Sequence, residues 1–153
     1  MRRIVRLLLV VIVAGVFGSG CGRDPASPRG GIVQGSVLFL EGNFQPVQPT
    51  GTSTPVRREM RIYALASESS DVDRATSIGF YRRVRTRLVA SVISDADGHF
   101  EAALPPGTYS LFSVEGSLLY ASTLDVYGHI DPIEVRQGEL TSVTFRIIYR
   151  AVF

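Results

Sequence analysis

Hydrophobic and polar positions fall into three regimes along the chain. Leu7–Phe17 is an almost unbroken apolar run. Gly22–Gly31 (GRDPASPRGG) has no apolar period and is rich in Gly, Pro and Ser, the composition of a flexible tether. From Ile32 onward apolar residues recur with a period of two, that of a half-buried strand rather than a helix. Ile32–Glu41, Arg57–Ala66, Arg83–Ser94, His99–Leu104, Thr108–Val114, Ser117–Thr123, Pro132–Arg136 and Thr141–Arg150 read as strands. Met60, Ile62 and Ala64 alternate with Arg61 and Tyr63, and Val84 and the apolar positions Leu88, Ala90 and Val92 lie opposite Arg83, Arg85 and Arg87. Phe100, Ala102 and Leu104 form one face of their strand, and Val143, Phe145, Ile147 and Tyr149 one face of the last.

Turn chemistry agrees with this reading. Asp97-Gly98 separates two strand patterns as a hairpin turn would, Pro105-Pro106-Gly107 punctuates the next pair, and Gln137-Gly138-Glu139 precedes the last strand. Roughly seven or eight short strands with frequent turns predict an all-β, antiparallel β-sandwich. Two loops interrupt it. Gly42–Pro55 is rich in Pro, Gly and Thr, and Ser67–Ile78 is polar, with Ser70 and Asp73 at the spacing of a capping box around one helical turn. No internal repeat is expected.

The apolar run near the start has a specific setting. Arg2, Arg3 and Arg6 precede it, and the small residues Gly18-Ser19-Gly20 lead to Cys21. This order of charge, apolar stretch and small residues is that of a secretory signal peptide, and the run is short for a spanning helix, which needs about 20 residues. Cys21 after the small residues resembles the bacterial lipobox, at which signal peptidase II cuts before a cysteine that carries a diacylglyceryl group and usually a third acyl chain. Ser19 and Gly20 match that pattern, whereas Gly18 stands where a larger apolar residue is usual. Each buried methylene contributes about 0.8 kcal/mol, so two or three chains anchor stably where one does not.

Composition changes the picture in two ways. The chain of 153 residues carries 16 basic and 14 acidic groups. Without the three leader arginines, 13 basic groups face 14 acidic ones, a net charge of −1 that supplies no electrostatic reason for nucleic-acid binding. A single cysteine excludes an internal disulfide and a cysteine-cluster metal site.

The segment Ser94-Asp95-Ala96-Asp97-Gly98-His99-Phe100, followed by Leu104-Pro105-Pro106-Gly107-Thr108-Tyr109, resembles the carboxypeptidase regulatory-like domain. That resemblance implies a prealbumin-like (transthyretin-like) β-sandwich over 32–153, and the leader layout and tether composition put it behind a leader at 1–20 and a lipidated tether at 21–31. It brings none of the peptidase's zinc ligands or catalytic residues. Glu41-Gly42-Asn43-Phe44, Pro55-Val56-Arg57-Arg58-Glu59, Ile133-Glu134-Val135 and Tyr149-Arg150-Ala151-Val152-Phe153 are similar to segments of small exported lipoproteins of Bacteroidetes-type bacteria that carry this domain.

Candidate chemistry is sparse. Asp95 and Asp97 could begin a calcium loop, but the late acidic ligand is missing and a side chain bonding its own turn explains them better. His99 and His129 lack the three or four converging ligands that a metal needs. No nucleophile motif is present. No catalytic residue, metal or cofactor is therefore expected. Arg57, Arg58, Arg61, Arg83, Arg85 and Arg87 form the densest basic set, readable either as an anion or partner surface or as a solvated face paired with acids such as Glu59 or Glu101. These readings predict a non-enzymatic binding or structural module, lipid-anchored to a bacterial envelope membrane, the outer one favoured because Gly22 follows Cys21. Its partner would be an envelope protein complex or a surface glycan. A small-ligand carrier in the manner of transthyretin is the alternative, and a hydrolase ranks last.

Overall fold

The computed structural model describes residues 30–153, and no helix occurs among them. The leader, Cys21 and most of the tether lie outside the described residues. Eleven strands follow in order: β1 (Gly31–Asn43), β2 (Thr52–Pro55), β3 (Glu59–Ala64), β4 (Val72–Arg74), β5 (Phe80–Val84), β6 (Leu88–Ile93), β7 (His99–Leu104), β8 (Gly107–Glu115), β9 (Leu118–Tyr120), β10 (Pro132–Val135) and β11 (Leu140–Val152).

They form two sheets, as a β-sandwich requires. The smaller has the order β11-β1-β2, with β7 on the first half of β1 where β2 borders the second half. The larger has the order β4-β5-β9-β8-β3-β6, with β10 beside the first half of β8. Pairing is antiparallel except between β1 and β11, which run parallel with Ile32 opposite Leu140 and a register shift between Phe39 and Glu41. The expectation of antiparallel pairing fails there because β11 follows a change of sheet, from β10 beside β8 to β11 beside β1, instead of a hairpin.

Period-two burial builds the space between the sheets. Val33 and Val37 of β1 face Met60 and Ile62 of β3, all wholly buried, and Phe100 and Ile147 join them. At one end the rings of Phe39 and Tyr149, from the smaller sheet, meet Phe80 and Tyr120, from the larger, with centroids 4.9–5.4 Å apart. Ser94, 1 % exposed, joins β6 to the start of β3: its Oγ accepts from the Arg58 N–H (2.8 Å) and donates to the Val56 carbonyl (2.9 Å).

A second core covers the opposite face of the larger sheet. Phe112 is wholly buried between Tyr63 and Tyr81, edge to face at 5.6 and 5.7 Å, and Val72, Ala66 and Ile130 close over it. Tyr63 therefore lies on the same side as Arg61, as its alternation predicts, yet is buried. Val72, part of this cover, comes from a segment expected to be a loop. Ser67–Ile78 contains β4, and its turn at Glu68–Ser70 is held by the Ser67 N–H bonded to Asp71 Oδ2 (2.9 Å) rather than by a helical cap. Gly42–Pro55 likewise contains β2, whose four exposed residues are ordered by β1 rather than by burial. The expected strand Arg83–Ser94 divides at Arg85–Arg87, because β5 pairs with β4 and β9 at one side of the sheet and β6 with β3 at the other.

Candidate functional site

Beyond the exposed pair Ile32 and Leu140, the outward positions at the middle of the smaller sheet are polar. Gln34 and Ser36 of β1 alternate with Val33 and Val37, and lie opposite Glu101 and His99 of β7 on one side and Ser142 and Thr144 of β11 on the other. These side chains line a shallow depression of about 580 Å³ with Asp95 at its end. Gln34 Nε2 donates to Glu101 Oε2 at 2.9 Å, which orients the carboxylate. The face thus offers an amide, a carboxylate, an imidazole and several hydroxyls, a mixture of donors and acceptors suited to hydroxyl-rich ligands.

Asp95 and His99 are set by local turn chemistry. Asp95 Oδ1 accepts from the N–H groups of Asp97 (2.9 Å) and His99 (2.8 Å), while Gly98 takes φ 77°. The carboxylate is spent on its own turn, and His99 Nδ1 stands 3.8 Å from Asp95 Oδ2, beyond hydrogen-bond distance.

The same arrangement recurs thirty residues later, contrary to the expectation of no repeat. Asp125 Oδ1 accepts from Tyr127 N–H (2.9 Å) and His129 N–H (2.8 Å), and Gly128 takes φ 80°. Here His129 Nδ1 lies 2.8 Å from Asp125 Oδ2. Burial pushes the Asp125 carboxyl up, but the N–H and ring of His129 together with the Tyr127 N–H outweigh it and hold it below the usual aspartate value. The shared spacing D-x-x-G-H, followed by Phe100 or Ile130, was the signal in the sequence. Near the second turn Asp131 has φ 36°, an uncommon conformation outside glycine that aspartate tolerates better than most. Its carboxylate accepts from Ser122 N–H (3.0 Å) and Thr123 Oγ1, and burial raises its pKa. Tyr81, whose hydroxyl donates to Glu68 (3.3 Å), is pushed up to about 12 chiefly by burial.

The six predicted arginines do not form one surface. Arg83 belongs to β5, whereas Arg85 and Arg87 lie in the connection to β6, so the three share no strand face. Arg58 pairs with Glu115 at 2.9 Å, Arg61 with Glu59 at 2.8 Å, and Arg85 with Asp73. Glu59 is held below its ordinary pKa first by that Arg61 bond. Arg61 and Arg83 do meet, with Arg82, around a depression of about 320 Å³ on the outer face of the larger sheet. Arg57 is exposed beside Arg58.

Among the described residues no three His, Cys, Asp or Glu side chains converge as a metal site would need. The His129 ring bonds the aspartate of its own turn, and the His99 ring stands apart from Asp95. No helix among the described residues is long and apolar enough to cross a membrane. No family model and no curated protein matches the chain.

Proposed function

We propose that this chain is a non-enzymatic binding module, exported and held on a bacterial envelope membrane through a lipidated Cys21, that engages a surface glycan on the polar face of its smaller sheet. The observation that carries the ligand class is the run of Glu101, Gln34 and Ser142 beside His99, Ser36 and Thr144, an open polar face on a rigid three-strand platform. The leader layout and the lipobox-like Gly18-Ser19-Gly20-Cys21 support the anchor. The motifs Asp95–Phe100 and Leu104–Tyr109 support membership of the carboxypeptidase regulatory-like domains, which does not by itself define a ligand.

The test is co-sedimentation of the purified full-length chain with insoluble envelope glycan, alongside Ser36→Trp and Glu101→Ala variants. Retention of the parent and loss in both variants is expected. No retention overturns the glycan reading, and equal retention of all three overturns this face as its site. A second reading, acidic glycan at Arg61, Arg82 and Arg83, predicts loss of retention in Arg83→Glu instead. For the anchor, Cys21→Ser should leave the membrane fraction, and its retention there would refute lipidation.

A further inference from the structure

β5 carries two consecutive arginines, Arg82 and Arg83, and strict alternation would send their side chains to opposite faces of the sheet. The strand does not alternate strictly. Against β4, Asp73 lies opposite Arg83 and Arg74 opposite Tyr81, so Arg82 is an extra residue. Tyr81 and Val84 are accordingly both buried in the second core, although alternation would part them. Such a bulge gives up ladder pairing to re-aim a side chain, and bulges recur beside binding sites. Here both arginines line the depression of about 320 Å³ that Arg61 of β3 also lines.

The charges around this depression are not all spent. Arg61 donates through Nε to Glu59 Oε1, which also accepts from Ser91 Oγ at 3.1 Å. Arg82 gives one Nη to the Arg74 carbonyl at 2.9 Å. Asp73, the acid opposite Arg83 in the ladder, pairs with Arg85 instead. Among the described residues no acid stands within ion-pair distance of Arg83. Three guanidinium groups thus face the one carboxylate of Glu59, and two positive charges remain on a chain that is net −1 beyond its leader arginines. Val84 and Leu119, both buried, give the depression an apolar lining, beside which a charge contact is stronger than in open water.

We propose, resting on the reading of these arginines as a ligand surface, that Arg61, Arg82 and Arg83 hold a phosphomonoester group. Charge selects it. A phosphomonoester carries about −1.5 to −2 at pH 7, which matches the two unspent positive charges, whereas a carboxylate or a sulfate ester carries a single negative charge. Oxygen count selects it over a carboxylate as well. Its three terminal oxygens accept from three guanidinium groups at once, and a carboxylate offers two. Sugar phosphates and phosphorylated lipids share this group. The polar face of the smaller sheet takes no part in the site.

The experiment titrates the full-length chain in detergent, by calorimetry, with glucose 1-phosphate and with glucuronate. A parallel arm floats the chain with phosphatidylcholine vesicles that hold or lack phosphatidic acid. Saturable binding of glucose 1-phosphate, about tenfold tighter than glucuronate, is expected. Arg82 and Arg83 are exposed, so Arg82→Gln and Arg83→Gln should keep the parent's circular dichroism, and each should weaken binding by about tenfold. Glu59→Gln, which frees Arg61, should tighten it by about two- to fivefold. Arg146→Gln removes the same charge from the smaller sheet and should leave binding unchanged. Flotation that needs phosphatidic acid and is lost in Arg83→Gln, without binding of glucose 1-phosphate, places the group on a lipid and supports the same site. Equal affinity for glucuronate, lost in the arginine variants, overturns the phosphate inference and leaves the acidic-glycan reading in place. Binding of neither sugar acid nor phosphatidic acid vesicles overturns both. Binding weakened as much by Arg146→Gln as by Arg83→Gln overturns the site, since net charge alone would explain it.

Discussion

The two D-x-x-G-H turns have one local chemistry and two different settings. In both, an aspartate accepts from the N–H groups two and four residues ahead, and a glycine takes φ near 80°. The residue after each histidine is buried, Phe100 in the core between the sheets and Ile130 in the second core. The first turn joins β6 to β7 across the sandwich, and the Cβ that an alanine would add at Gly98 meets the Val37 carbonyl oxygen at 2.5 Å. At Gly128 nothing lies within 4 Å. The first histidine stands away from its aspartate, and the second is bonded to it. A short motif thus determines its own turn but not how tightly the rest of the protein holds it.

The largest effects should come from the residues that follow the histidines. Phe100→Ala is expected to cost about 3–5 kcal/mol and to lower the global unfolding midpoint. Ile130→Ala should cost about 2–5 kcal/mol, and hydrogen exchange should show the loss concentrated in β4, β5 and the Thr123–Asp131 segment. Equal loss of protection in β1 and β11 would mean that the two cores unfold as one.

The glycines come next. Gly98→Ala combines left-handed strain of about 1–2 kcal/mol with a backbone clash of about 1–3 kcal/mol. Gly128→Ala bears the strain alone, about 1–2 kcal/mol. Urea midpoints at fixed slope measure the difference, and equal costs would show that Val37 moves aside.

The carboxylates sharpen the comparison through pH. Asp125 has a lowered pKa, so its stabilisation is complete above the unfolded aspartate value and is lost as pH falls through the folded one. Asp131 has a raised pKa, so its protonated form favours the fold below the unfolded value, and that contribution is lost as pH rises through the folded one. Thermal melts between about pH 3 and 7 should therefore show Asp125→Asn removing an acid-side loss and Asp131→Asn removing a loss of the opposite sign. The smallest effect belongs to His99→Ala, within about 0.5 kcal/mol, because its side chain is 69 % exposed and makes no hydrogen bond to Asp95.

Alternation along the chain determined much of this protein. The paired faces of β1, β3, β7 and β11, the turn at Asp97-Gly98 and the Pro105-Pro106-Gly107 connection follow from period-two burial and from residues that tolerate particular backbone angles. The repeated turn was also legible, since a side chain bonding its own backbone needs only local spacing. What the tertiary structure decided was which neighbour each strand meets. Arg83 and Arg87 part because β5 and β6 join opposite sides of one sheet, and Thr52–Pro55 becomes a strand only because the second half of β1 lies beside it. Tyr63 and Phe112, on the side of the sheet that alternation alone would leave to solvent, are buried by Tyr81 of β5 together with Val72 and Ile130, which come from segments without apolar periodicity. Period records which side of a strand is apolar. It carries no information on which distant segment will cover that side, because such contacts are fixed by the closure of the whole chain.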